Sequence, residues 1–110
     1  MSRFGLPPGN GVPFSIKENI DVAGSATTWG VAAFAGQIAA VDAPIVARMR
    51  EAGAIPFART NLPDFAFRWD TESCIAGRTL NPWDPTRAVG GSSGGEAAAL
   101  ATGMSPLGLG

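Results

Sequence analysis

Two adjacent hydroxyls, Ser92 and Ser93, lie inside the run Gly90-Gly91-Ser92-Ser93-Gly94-Gly95-Glu96. Four glycines let the backbone take positive φ and come close to a ligand. The continuation Ala97-Ala98-Ala99-Leu100-Ala101 is a strong helix former, so the pattern predicts a loop feeding a helix. A helix start presents unpaired N–H groups and the positive end of a dipole, which favours negative charge on groups held there. Nucleophile relays and phosphate cradles both use this geometry. A flexible Gly/Ser linker fits less well, because linkers do not normally end in a helix-forming run.

A serine hydroxyl is a weak nucleophile at its own pKa, so nucleophilic chemistry here needs a base. The chain contains no histidine, which excludes a Ser-His-Asp triad among these residues. With a single cysteine and no visible carboxylate cluster, a zinc site is also disfavoured. Lysine is the remaining candidate. To act as a base it must be neutral, which means lowering a pKa near 10.4 by about three units at a cost of roughly 4 kcal/mol. Lys17 lies in the stretch Gly11 to Val22, which alternates apolar and polar residues after Pro13 in the manner of a half-buried strand. Phe14 and Ile16 then face one side, Ser15 and Lys17 the other. On composition alone Lys17 is a solvated lysine on that strand. Burial beside Phe14 and Ile16, with hydroxyls as partners, is what would make it a base.

The elements around these groups read as follows. Residues 1–10, with Pro7-Pro8-Gly9-Asn10, form an irregular lead-in. Loop follows from Ala23 to Ile38, with a short helical turn at Val31 to Ala35. Asp42-Ala43-Pro44 resembles a cap with proline in the first turn, Ile45, Val46, Met49 and Ala52 recur at helical spacing, and Gly53 stops the helix. Ala54 to Arg59 is a short apolar strand. Strand, helical crossover and strand predict an α/β layer with parallel pairing. A short helix is expected near Asn61 to Phe67, capped at Asn61 or Leu62. Arg68 to Arg87 is loop-rich, with Asn81-Pro82-Trp83-Asp84-Pro85 as turns packed under an aromatic. Ser105 to Gly110 reads as a turn entering an apolar strand, the pattern expected of a fragment. The expected fold is therefore α/β, a mixed β-sheet flanked by helices.

Composition bounds partners more than chemistry. A chain of 110 residues with 45% apolar and 15% charged content suits a globular core, and 15 glycines with 9 prolines imply many turns. At this length a domain buries somewhat less than about 70% of its unfolded surface. The net charge of −1 is spread along the chain, so neither nucleic acid nor an anionic membrane is an expected partner. Cys74 is read as a small buried hydrophobe. No membrane span or signal-like apolar run is evident, which makes the expected compartment the cytoplasm.

Three blocks, Gly11-Val12-Pro13-Phe14-Ser15-Ile16-Lys17-Glu18-Asn19, Gly77-Arg78-Thr79-Leu80-Asn81-Pro82-Trp83-Asp84 and Gly90 to Glu96, resemble the amidase signature enzymes in order and spacing. Residues 1–110 then read as one incomplete amidase signature domain. The resemblance implies hydrolysis of a carboxylic amide by a Ser-cisSer-Lys triad without metal or nucleotide. It implies that Lys17 is the catalytic lysine and that Ser92 is the bridging serine after a cis Gly91–Ser92 bond. Ser93 and Gly91 take supporting roles, and Ala66, Phe67 and Arg68 belong to a segment lining the acyl pocket. In that family the nucleophilic serine belongs to a further Gly-Gly-Ser motif, which follows a strand that this chain only begins. A fragment lacking it is expected to be inactive, and an unpaired sheet edge predicts self-association or a homodimer. Two other readings stand beside this one. The first is a phosphate- or nucleotide-binding module built on the Gly/Ser loop, although the Gly-x-x-x-x-Gly-Lys-[Ser/Thr] pattern is absent. The second is a non-catalytic truncated pseudoenzyme.

Overall fold

The computed structural model describes residues 11–110, so the lead-in expected over residues 1–10 lies outside the described residues. Strand β1, Pro13–Lys17, is followed after a long loop by helix α1, Pro44–Glu51, and strand β2, Ile55–Thr60. A two-stranded ribbon comes next, β3 at Glu72–Ser73 and β4 at Gly77–Arg78, then helix α2, Gly94–Ala101, and strand β5, Gly108–Leu109. The order in the main sheet is β2-β1-β5, with both neighbours parallel to β1, while β3 and β4 pair antiparallel in a separate sheet. The fold is α/β, with a parallel sheet and helices.

Local chemistry explains most boundaries. Pro44 opens α1, where its fixed φ suits the first turn and its missing N–H costs no bond. Asp42 is not the cap: Ala43 occupies that position without a side-chain cap bond. The Asp42 carboxylate instead accepts from the Ala23 amide at 2.8 Å and pairs with Arg50 at 2.8 Å. The helix ends at Gly53 with φ +90°, and the Ala54 amide bonds back to the Met49 carbonyl. Pro56 is tolerated in β2 because that strand is at a sheet edge, where one missing donor breaks no central ladder. Between Phe14 and Ser15 the β1–β2 register shifts: Phe14 faces Pro56 and Ser15 faces Ala58, leaving Phe57 as the extra residue of a bulge.

Several expectations change. The helical turn near Asp64 is a 3-10 turn over Asp64–Ala66 with Pro63, not Asn61 or Leu62, before it, and Phe65 and Ala66 take φ of +55° and +56°. Cys74 is exposed, not buried. Trp83 is 83% exposed, so the turns around it are not packed under an aromatic. They are held by the Asn81 side chain, which accepts from the Trp83 amide at 2.9 Å, and by Asp84, which accepts from the Thr86 amide at 2.9 Å.

The largest correction concerns β1. Alternation does send Phe14 and Ile16 to one face, where they join Val22 and Val46 of α1 in the core. The opposite face is not solvated. Ser15 and Lys17 are buried as well, beneath the start of α2. The sheet thus carries α1 on one face and α2 on the other.

Candidate active site

The site is the meeting of that second face of β1 with the Gly/Ser loop. Lys17 is 7% exposed, and its Nζ donates to Ser92 Oγ at 2.6 Å and to Ser93 Oγ at 2.9 Å. Burial pushes the Lys17 ammonium below its ordinary pKa, because the charged form loses water that the low-dielectric surroundings do not replace. Phe14 and Ile16, expected to supply this burial, lie on the other face of the strand, so the cover comes from the loop that carries the two serines.

The loop is held at several points. Gly90 has φ +89° and the Gly91–Ser92 peptide is cis. Thr71 Oγ1 donates to the Gly90 carbonyl at 2.8 Å and accepts from the Gly94 amide at 3.1 Å, bracketing both serines with one hydroxyl. The Gly95 amide donates to the Asn61 carbonyl at 3.2 Å. Gly91 packs tightly on its neighbour, since a Cβ there would sit 2.7 Å from the Arg68 carbonyl oxygen. These contacts bear on the phosphate-cradle reading. The first two amides of α2 already have protein acceptors, and Glu96 puts a buried carboxylate in the first turn, so the donors and the positive field are both spent internally.

Glu96 makes a second set of contacts beneath the serines. Its Oε1 accepts from Ser15 Oγ, and its Oε2 accepts from Thr60 Oγ1 at 2.7 Å. The sequence alone singles out neither Ser15 nor Thr60, and it places Thr71 only at the end of the loop expected to line the acyl pocket. For Ser15 a signal existed, since it is two residues from Lys17 on the same strand face. Thr60 and Thr71 reach the site through long-range packing that no local pattern displays.

Beside Ser92 an open pocket of about 400 Å³ is lined by Ala66, Phe67, Arg68, Trp69 and Gly91 together with Ser92 itself. Phe67 and Trp69 are 89% and 87% exposed. Lys17, Ser92, Ser93 and Gly91 therefore come together in one place, and the 66–68 segment forms a wall of the adjoining pocket. Among the described residues no group of three or more His, Cys, Asp or Glu is placed to hold a metal, and no helix is long and apolar enough to cross a membrane.

Comparison with known proteins shows what the chain is similar to. A family profile described as Amidase matches residues 4–110. A glutamyl-tRNA(Gln) amidotransferase subunit from Methanococcoides burtonii is 47% identical over 100 residues, which is 91% of this chain and 21% of that protein. Indoleacetamide hydrolase of Bradyrhizobium diazoefficiens is 47% identical over 98 residues, 89% of this chain and 19% of that protein. The structure of peptide amidase from Stenotrophomonas maltophilia superposes with a TM-score of 0.83 at 35% identity, covering 90% of this chain and 21% of that one. The chain spans about a fifth of the length of the relatives it matches.

Proposed function

Because the chain belongs to the amidase family, matched over residues 4–110, we propose that it supplies the lysine and the bridging serine of an enzyme that hydrolyses a carboxylic amide. The products are an acid and ammonia or an amine. The observation that carries this reading is the buried Lys17 Nζ lying 2.6 Å from Ser92 Oγ.

With Lys17 neutral, that contact reverses: the Ser92 hydroxyl donates to the Nζ lone pair. Ser92 passes its proton to Nζ as it accepts the proton of a nucleophilic serine, whose oxygen attacks the amide carbonyl carbon. The C–N bond breaks as the proton held on Lys17 returns through Ser92 to the leaving nitrogen. An acyl-enzyme remains, which water hydrolyses by the same relay. In this reading the nucleophile is the serine that the amidase signature enzymes carry in a Gly-Gly-Ser motif, and residues 1–110 form part of one amidase signature domain. Ser93 steadies Lys17 through the second hydroxyl contact. Ala66, Phe67 and Arg68 line the place of the acyl group, next to Ser92. The relatives' names span a tRNA-linked substrate, indoleacetamide and peptides, and the carboxylic amide is their common chemistry. Neither metal nor nucleotide takes part in these steps.

The test is substitution in the whole amidase that carries these residues. Lys17→Ala and Ser92→Ala are each expected to lower kcat by about 10²- to 10⁴-fold, the range for loss of a positioned proton-transfer group. Turnover that survives both changes would sink the relay.

A further inference from the structure

We propose that Glu96 is a positioning residue of this site, its carboxylate setting the separation between Lys17 and the Ser92–Ser93 loop. The inference rests on the relay reading of Lys17 and Ser92. Ser15 and Lys17 share one face of β1, about 6.6 Å apart along the strand at two residues of about 3.3 Å rise. Ser93 and Glu96 are three residues apart at the start of α2, about 4.5 Å along the helix axis. Two rungs therefore join the same strand face to the same helical turn: Lys17 to Ser93 and Ser92, and Ser15 to Glu96. One rung alone leaves the helix start free to swing about it; the second removes that freedom. Thr60 supplies a third hold from β2, bonding the other carboxylate oxygen.

The surroundings are shaped to this carboxylate. Glu96 is 4% exposed, and neither of its oxygens takes part in an ion pair among the described residues. Gly108 of β5 faces it, and any Cβ at Gly108 would run into the carboxylate. A Cβ at Gly110 would lie 3.1 Å from Ser93 Cβ and 3.3 Å from Glu96 Cγ. Desolvating a carboxylate for two hydroxyl bonds is costly, and an apolar side chain would fill the space more cheaply. What the carboxylate adds is direction: two acceptors aimed at two strands.

The experiment uses the whole amidase. Glu96→Ala is expected to lower kcat about 100-fold, the scale of a displacement near 1 Å, with KM changed less than twofold. The rising limb of kcat against pH should move to higher pH, because a loosened loop admits water to Lys17. Glu96→Gln keeps one acceptor oxygen, and its amide NH2 donates to the other hydroxyl, so both holds persist and the variant should restore most of kcat and return the limb. If Glu96→Ala does not fold, Ser15→Ala combined with Thr60→Val removes both holds while keeping the carboxylate, and the same loss and limb shift are expected. Unchanged kcat and limb in these variants, with Lys17→Ala inactive, would overturn the positioning role alone. A kcat that falls only in step with the folded fraction, the limb staying in place, would overturn it too. An active Lys17→Ala would instead overturn the relay reading beneath it.

Discussion

In the proposed relay Lys17 is the residue on which the chemistry turns, and its protonation has consequences that can be measured separately from its identity. Burial holds the folded-state pKa below the ordinary lysine value of 10.5. Between that lowered value and 10.5 the unfolded chain binds more protons than the folded one, so stability rises with pH across this window. It is lost again as pH falls through it. Denaturant midpoints measured from neutral to alkaline pH should increase for the native sequence and flatten for Lys17→Met. In the whole amidase, kcat is expected to rise with pH along a limb centred below 10.5, as Lys17 gives up its proton. Lys17→Arg separates charge from contact: guanidinium still donates to Ser92 but stays protonated, so activity should vanish while the fold survives. Lys17 and the two serines could be picked out from residue type alone, since a histidine-free chain leaves few bases. That Lys17 is buried could not. Alternation predicts which face a strand residue takes but does not say what covers that face, and here the cover is a loop from more than seventy residues away.

At the scale of elements, helix α2 and the glycines at its start show how tightly the serine loop is seated. A Cβ on Gly94 would collide with the Thr71 side chain and with Val89, and one on Gly95 would collide with the Asn61 backbone. None of these three neighbours is the loose end of a flexible chain. Gly95→Ala is therefore expected to destabilise the fold by about 1–3 kcal/mol, the usual cost of overpacking, despite alanine's better helix propensity. A rise in the denaturation midpoint would contradict this. Strands β1, β2 and β5 and helices α1 and α2 follow from patterns near each element: proline at a helix start, glycine past its end, short apolar runs. The ribbon of β3 and β4 escaped, being two residues per strand and drawn from Glu72-Ser73 and Gly77-Arg78, which carry no strand signal. The cap of α1 misled for a physical reason. Asp42 has the right chemistry, but its carboxylate has a better use, bridging the Ala23 amide and Arg50.

The described residues form a slab of 47 × 33 × 15 Å, thin enough that Phe14, Ile16, Val22, Val46, Leu62 and Pro63 make up their buried apolar side chains. On the α2 side, exposed Phe57, Leu80 and Met104 border an open groove of about 580 Å³. Strand β2 has no partner on its outer side among the described residues. Such a surface favours association. Sedimentation of the isolated chain is expected to show a mass that grows with concentration, reduced by Phe57→Lys combined with Met104→Lys; a monomer at all concentrations would contradict this. The bulge at Phe57 reaches further than its size suggests. A strand has only two phases, and one extra residue exchanges them for everything downstream. With the bulge, Thr60 runs beside Lys17, while Arg59 runs beside Ile16 and caps the carbonyls of Glu18, Ile20 and Ala26. A regular ladder, with Phe57 itself opposite Ser15, would set Arg59 abreast of Lys17 instead. A permanent cation would then occupy the place of a hydroxyl, and Glu96 would find a guanidinium where Thr60 had been. The parity of a single edge strand thus decides which of two adjacent residues, one neutral and one charged, stands next to the buried amine.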